Sequence, residues 1–134
     1  MAPDLELQSA LLSRLTGAAA FTALCPAANV MDAHGVPARF PSVILGEGQT
    51  VRDALTLSER HARLYATLHV WTKSMPSCRA IADAIRVVVE GERLILPSHH
   101  LISCTVESAR FLRDPDGETS HGVVTIEAFV EVLP

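Results

Sequence analysis

Lysine and cysteine are scarce in this sequence. Lys73 is the only lysine, and acidic residues outnumber basic ones, so the formal net charge is −4 at pH 7. Because binding to phosphates draws on clustered Lys and Arg, this balance argues against a large nucleic-acid footprint. Cys25, Cys78 and Cys104 are odd in number and widely spaced, which indicates a reducing cytoplasm rather than a disulfide framework.

Segments that would carry the chain into or across a membrane are also missing. The first residues, MAPDLELQ, have neither a basic region nor an apolar run, so no secretory signal is predicted. No apolar stretch approaches the roughly 20 residues that span a bilayer. Even VILGEGQ and AIRVVVEG are soon interrupted by glycine or charge. We therefore expect a soluble protein with no membrane partner.

Apolar residues, in contrast, are plentiful, since 49% of the chain is hydrophobic and only 19% is charged. This composition is far from that of disordered chains, so the sequence should fold. A chain of 134 residues needs no disulfide or metal to stabilise it, and we predict a single domain over residues 1–134. The apolar excess also suggests a buried subunit interface.

The first half of the sequence predicts helices followed by a long loop. Residues 4–17 read as a helix with Asp4 as its N-cap and Gly17 at C′, and AAAFTALC adds a short second helix. Glycine and proline punctuate NVMDAHGVPARFPSV, so we expect a loop with a short strand around Val30. SVILG then suits a strand, and GEGQTVRDALTLSER is predicted to be a polar excursion between strands.

A strand and a helix follow each other closely in LYATLHVWTKSMPSCRAIADAIRVVVEG. Alternate residues from Leu64 to Val70 are apolar and predict a buried face, whereas the opposite face, with His69 and Trp71, is too aromatic for ordinary solvated surface. We expect another element or a neighbouring subunit to cover it. Ser74 is the predicted N-cap of the helix, whose buried stripe is Ile81, Ala84, Ile85 and Val88.

Two alternating strands close the sequence. Apolar residues alternate through Ile102, Cys104 and Val106 and again from Val124 to Val130, and DPDG between them is a strong turn signal. The order of elements predicts an α+β fold. We expect a mainly antiparallel β-sheet, an N-terminal helix and a central helix packed on one face, and a C-terminal β-hairpin.

No motif of known catalytic or metal chemistry is complete in the sequence. His99, His100 and Cys104 lack the companion ligands of a zinc site, and the aspartates of DPDG lack the further ligands of a calcium loop. LGEGQT has no Lys-Ser/Thr pair for phosphate, and no G-x-S-x-G is present. We therefore predict no enzyme activity, no metal and no cofactor. Cys78 is the one reservation, because a helix N-terminus can lower the pKa of a thiol.

Several segments, in order, carry a family resemblance. They are LQSALLSRLTGAAAFTAL, FPSVILGE, LHVWTKS, CRAIADAIRVVV and VESARFLRDPDGETSHGVVTIEAFVE. Together they resemble the tail-terminator, or tail-completion, proteins of long-tailed bacteriophages and phage-like gene transfer agents. The resemblance runs from Leu5 to Glu131 and is most specific in P-x-V-x-L-G-E, L-H-V-W, A-I-A-D-A-I and S-A-R-x-L-R-D-P-D-G. The sequence departs at Val30, Met31 and Asp32, where the family often has an aromatic residue.

The resemblance implies a protein that assembles as a hexameric ring at the head-proximal end of the tail tube. Such a ring ends tube polymerisation and joins the tail to the head, so its partners would be further copies, the tail tube protein and the head stopper or connector protein. DNA would pass through without specific binding. The implied location is the bacterial cytoplasm during assembly and then the tail or neck of the particle. The alternatives are a small cytoplasmic enzyme or ligand-binding domain, and a different ring or tube component.

Two charged segments are the predicted contact regions, because they connect strands and are poorly explained as core. One runs from Gly46 to Arg60, and the other is the hairpin tip from Arg110 to Gly117. We predict that they make the ring-to-ring and ring-to-tube contacts. The candidate interaction residues are Gly46, Glu47, Thr50, Arg52, Arg60, Arg110, Arg113, Asp114 and Asp116.

Overall fold

The computed structural model describes residues 1–33, 35–52 and 60–134. In chain order the elements are α1 (Pro3–Thr16), α2 (Ala19–Thr22), β1 (Val30–Asp32), β2 (Ser42–Arg52), β3 (His61–Thr72), α3 (Met75–Gly91), β4 (His100–Arg113) and β5 (Ser120–Glu131). A turn of 3₁₀-helix at Ala27–Asn29 precedes β1. This arrangement of helices and strands is the predicted α+β fold.

The described strands form a sheet in the order β1-β2-β3-β5-β4. β1 pairs with β2 in parallel, and the other neighbours are antiparallel, which confirms the mainly antiparallel sheet. β4 and β5 form the predicted C-terminal hairpin around DPDG, where Gly117 has a φ of 75° that favours glycine. β1 and β4 are therefore the edge strands.

α1, α2 and α3 pack on one face of this sheet, as predicted. Their apolar side chains and those of alternate strand positions form a continuous core. The strands contribute Leu64, Leu68, Val70, Val124, Ile126, Ala128 and Val130, and the helices contribute Leu7, Leu11, Leu15, Phe21, Ile81, Ile85 and Val89. Burial of each large aliphatic side chain stabilises the fold by about 1.5–3 kcal/mol.

α1 begins at Pro3, one residue earlier than predicted. Proline suits the first turn because that position has no hydrogen bond for an N–H to make. Ala2 is the N-cap and makes no side-chain cap, so the predicted cap at Asp4 is wrong. Asp4 lies in the first turn, where its charge complements the helix dipole. Gly17 follows the helix with φ −93°, which is not the left-handed conformation typical of a C′ glycine.

α3 begins where the sequence predicts. The Ser74 side chain accepts a hydrogen bond from the Ser77 N–H at 3.3 Å, which confirms the N-cap. The predicted stripe is buried with one correction. Val89 is buried and Val88 is only partly buried, because Val89 continues the four-residue spacing that precedes it at Ile85.

β2 is longer than expected. It runs to Arg52 and pairs with β3 beyond a β-bulge between Leu45 and Gly48. Residues 46–52 are therefore strand, and their prediction as a polar excursion is wrong. The rest of that excursion, residues 53–59, lies outside the described residues.

The predicted alternation in β4 fails because the strand is irregular. β-bulges lie between Leu101 and Ser103 and between Val106 and Ser108, and each shifts the register against β5. As a result Leu101 is buried, whereas Ile102 is 38% exposed. The alternation in β5 is regular, and its predicted apolar side is buried throughout.

Candidate interaction surface

The sheet face opposite the helices carries aromatic, polar and charged side chains. Its central part consists of Tyr65, Thr67, His69 and Trp71 of β3 and their partners Glu127, Thr125, Val123 and His121 of β5. Among the described residues no helix packs against this side, which we refer to as the open face. Trp71 is nevertheless only 8% exposed, because the chain that follows β1 borders this end of the face. A neighbouring subunit over the rest of the open face stays a prediction.

Hydrogen-bonded side chains cross the open face near β1. The Glu47 carboxylate lies 2.6 Å from Nε2 of His69, and Nδ1 of His69 lies 2.7 Å from Nε2 of His121. The His121 ring stacks on Trp71 with 3.9 Å between ring centroids and 6° between the planes. Because an ionised carboxylate only accepts, Nε2 of His69 carries a hydrogen, and in the neutral ring Nδ1 accepts from His121.

The surroundings of the hydrogen-bonded side chains shift the pKa values of two of them, His121 and Glu47. Burial, followed by the nearby His69, lowers the pKa of His121 below its ordinary value. The hydrogen bond from His69 lowers the pKa of Glu47. Both shifts favour a neutral His121 and an ionised Glu47 near neutral pH.

Gly46 makes the close approach of His69 to β2 possible. A Cβ at this position would lie 2.5 Å from Cδ2 and 2.6 Å from Nε2 of His69. These distances are shorter than van der Waals contact. The position therefore requires free space beside the imidazole rather than a left-handed backbone.

A groove of about 600 Å³ opens beside these side chains. Part of its wall is the chain that follows β1, and the rest comes from β2 and the open face. Its lining includes Asp32, Ala33, Gly35, Val36, Ile44, Gly46, Glu47, His69, Trp71 and His121. The groove thus combines apolar walls with the hydrogen-bonded series, a combination that suits a protruding segment of a partner.

The structure divides the predicted interaction residues between two opposite corners of the sheet. Gly46, Glu47, Thr50 and Arg52 lie on the outer part of β2, and Arg60 lies directly before β3 at the same corner. The other corner, at the end of β4 and in the hairpin turn, holds Arg110, Arg113, Asp114 and Asp116. All are exposed except Asp114, which is partly buried. A single chain therefore does not bring the two groups together.

Asp116 shapes the hairpin turn. Its carboxylate accepts hydrogen bonds from the N–H groups of Glu118 and Thr119 at 2.8 and 2.9 Å, and from the Thr119 hydroxyl at 2.7 Å. The Thr119 hydroxyl, followed by the two backbone groups, lowers the pKa of Asp116. Such bonds fix the position at which the tip of the hairpin projects.

Side chains cover one half of the outer edge of β4. Glu90 accepts a hydrogen bond from the Val106 N–H at 2.9 Å. The Arg93 guanidinium donates to the carbonyl of Leu101 and, at 3.4 Å, to that of Ile102. Unpaired groups on a strand edge are a template for another strand, so these contacts close this half of the edge.

Residues weighed for metal or thiol chemistry have other partners. Nε2 of His99 lies 2.7 Å from the Met1 carbonyl, and its Nδ1 accepts from the Leu133 N–H at 3.1 Å, so His99 ties both ends of the chain together. Burial raises the pKa of Cys78, so the reservation about an activated thiol is wrong. Within the described ranges, no group of three or more His, Cys, Asp or Glu side chains could hold a metal ion.

None of the described helices has the length and apolar character required to cross a membrane.

Sequence reasoning did not find the partnership of His69 and His121. The alternation in β5 was a usable signal, because His121 falls on the side opposite Val124 and so on the open face. What the alternation could not supply is that β3 and β5 are neighbours, which places His121 beside Trp71.

Comparison with known proteins adds a family to this fold. The family model for "Tail completion protein gp17" matches residues 9–131. A chain in the solved structure "Virion of native gene transfer agent (GTA) particle" is 23% identical with a TM-score of 0.78, and the match covers 93% of this chain and 94% of that chain. The gp17 protein of bacteriophage SPP1 is 16% identical with a TM-score of 0.59, and the match covers 97% of this chain and 91% of that chain. No curated protein sequence matches.

These comparisons confirm the resemblance seen in the sequence. The family match begins within α1 and ends at the last residue of β5. The two solved structures, at their low sequence identity, agree in fold. The chain therefore belongs to the family of tail completion protein gp17.

Proposed function

We propose that this protein is a structural assembly protein of a phage or gene transfer agent particle. It forms a hexameric ring on the head-proximal end of the tail tube, ends tube polymerisation and joins the tail to the head. The observation that carries this proposal is the family match over residues 9–131. Its partners are other copies of the chain, the tail tube protein and the head stopper or connector protein.

The distribution of side chains supports assembly over catalysis. Away from the groove beside β1, the open face carries Tyr65, Thr67 and their partners on β5, and no helix covers them in the described part of the chain. Surfaces of this kind are typical of contacts between proteins.

Passage of DNA through the ring fits the charge of the chain. Each copy has a formal net charge of −4 at pH 7. A ring of such copies creates a negative field, which repels phosphates and lets DNA slide instead of binding it. The protein acts in the bacterial cytoplasm during assembly and then stays in the tail or neck of the particle.

Removal of the gene from a particle-producing genome tests this function. We expect filled heads and separate tails of abnormal length in electron micrographs, and supply of the wild-type gene in trans should restore joined particles. Normal joined particles in the deletion strain would overturn the proposal. Unjoined tails of normal length would instead indicate a different component of the neck.

A further inference from the structure

Two stretches of strand edge remain free in the described structure. β1 pairs only with residues 43–45 of β2, so residues 48–52 have no strand beside their outer edge among the described residues. On β4, the covered half ends at Val106, which leaves residues 107–113. The two free stretches lie at opposite corners of the sheet.

The hydrogen-bond pattern shows which residues of these edges face outwards. In an antiparallel pair, alternate residues direct both N–H and C=O to the partner strand, and the residues between direct them away. The Asp114 N–H bonds the Thr119 carbonyl, which makes Ala109, Phe111 and Arg113 outward residues of β4. The contact of Glu90 with the outward N–H of Val106 agrees with this assignment. The same alternation, followed through β5 and β3, makes Gly48, Thr50 and Arg52 outward residues of β2.

The two edges match in direction and length. Three antiparallel pairings separate β2 from β4, so the two strands run in opposite directions within the sheet. A second copy placed in the same orientation beside β2 brings its residues 109–113 antiparallel to residues 48–52. Outward residues then pair as Gly48 with Arg113, Thr50 with Phe111 and Arg52 with Ala109. The open faces of both copies are continuous in this register, whereas a one-residue slip would reverse one of them.

Charges at the ends of the edges favour the same alignment. Glu47 precedes the β2 edge and Arg52 ends it, whereas Glu107 precedes the β4 edge and Arg113 ends it. The antiparallel alignment places Arg52 and Arg113, which both lie on the helix side of the sheet, at opposite ends of the contact. A parallel alignment would place these two arginines opposite each other, and like charges in that position destabilise paired strands.

We propose that copies of this chain join head to tail by pairing residues 48–52 of one copy with residues 109–113 of the next. The sheet then continues from subunit to subunit. This inference rests on the proposed ring and identifies its subunit contact.

The geometry of this contact suits a closed ring. Within one copy, Thr50 lies at the level of Leu64 on β3, whereas Phe111 lies at the level of Val70. Pairing Thr50 of one copy with Phe111 of the next therefore shifts successive copies by six residues along the strand direction. Six residues rise about 20 Å, and four strands are about 19 Å wide. The strands therefore incline by roughly 45°, which is close to the tilt in closed β-barrels.

A disulfide between neighbouring copies tests the contact. Val51 and Arg110 face each other in the proposed register as a non-hydrogen-bonded pair, whose Cα atoms lie about 4.5 Å apart and suit a disulfide. In a Cys104→Ser chain, Val51→Cys with Arg110→Cys should give a ladder of multimers on a non-reducing gel after oxidation of a lysate of producing cells. The matched control is Val51→Cys with Ser103→Cys, which lies in the covered half of β4. No ladder from the first pair, or an equal ladder from the control, would overturn the proposal.

A proline at the β2 edge provides a second test. Thr50→Pro, placed in the chain with both cysteines, removes an outward N–H and leaves the pairing with β3 intact, so it should abolish the ladder without changing the circular dichroism spectrum. Thr50→Ala keeps the N–H and should keep the ladder. A ladder that survives Thr50→Pro contradicts the backbone pairing.

Failure of this inference is distinguishable from failure of the proposed function. No ladder, combined with unjoined heads and tails in the deletion strain, leaves the function standing and the contact wrong. A ladder combined with normal particles in that strain leaves the contact standing and the function wrong.

Discussion

Among single residues, Gly46 controls the arrangement of the open face near β1. It leaves the space in which His69 bonds Glu47 and His121. The stack of His121 on Trp71 then extends the arrangement across the sheet. A substitution at Gly46 therefore tests the whole series through one steric contact.

We expect Gly46→Ala to destabilise the protein by about 1–3 kcal/mol, because the new Cβ must displace the imidazole of His69. Urea denaturation measures the free energy of unfolding. In a His69→Ala background the same change should cost clearly less, since the clashing ring is absent. Equal losses in the two backgrounds would show that the imidazole is not the cause.

His121 should make stability depend on pH. Burial and His69 lower its pKa, and of the other charged groups near it Arg110 acts in the same direction, whereas Asp114 and Glu47 act in the opposite one. The unfolded chain, with an ordinary histidine pKa of about 6.5, therefore binds a proton more readily than the folded chain. The stabilisation is present above that value and is lost as the pH falls through it towards the lower pKa of the folded protein.

We thus expect the free energy of unfolding to decrease between about pH 7.5 and pH 5.5. His121→Gln should make this decrease smaller, and urea denaturation at several pH values measures it. The lowered pKa values of Glu47 and Asp116 act in a separate window, below the ordinary range of carboxyl groups. Identical pH dependence of the wild type and the variant would rule out His121 as the source.

Among the secondary-structure elements, α3 shows how one periodic stripe positions the rest. Ile85 is fully buried between the sheet and the other helices, whereas Val87, on the same helix, is 48% exposed. The outward face of α3 is charged and includes the ion pair of Arg86 with Asp83 at 2.9 Å. The two faces therefore tolerate charge very differently.

Ile85→Asp should unfold the protein, because an unpaired charge in the core costs several kcal/mol. Val87→Asp is the matched control and should change stability by only about 0.5 kcal/mol. Thermal unfolding followed by circular dichroism compares the two. Similar melting temperatures would mean that α3 does not use the buried stripe described above.

For the molecule as a whole, the two corners of the sheet are the regions through which we expect copies and partners to meet. They lie too far apart along the sheet to act on each other within one chain. Exchange of one charge at each corner should therefore affect assembly and leave folding unchanged.

We expect Arg52→Glu combined with Arg113→Glu to abolish particle assembly without unfolding the chain. Both side chains are exposed, and exposed substitutions usually change stability by only about 0.5 kcal/mol. Particle yield and circular dichroism are the measurements, and Arg86→Glu on the outer face of α3 is the control. A normal yield of active particles, or a double variant that never folds, would contradict this prediction.

Features set by local periodicity and local chemistry were predictable from the amino-acid order. The cap at Ser74, the stripe along α3, the alternation in β5 and the turn at DPDG each depend on residues that are close in sequence. Together they were enough for the α+β class, the hairpin and the helix-covered face. The order of the characteristic segments was enough for the family.

Other features depended on which strands are neighbours and in what register. The extension of β2 to Arg52 needs β3 as a partner, and the irregularity of β4 arises from bulges against β5. His69 meets His121 only because β3 lies beside β5. The separation of the candidate interaction residues into two corners has the same origin, since β3 and β5 lie between β2 and β4 in the strand order. Pairing between distant segments is a long-range property, so no local pattern in the chain encodes it.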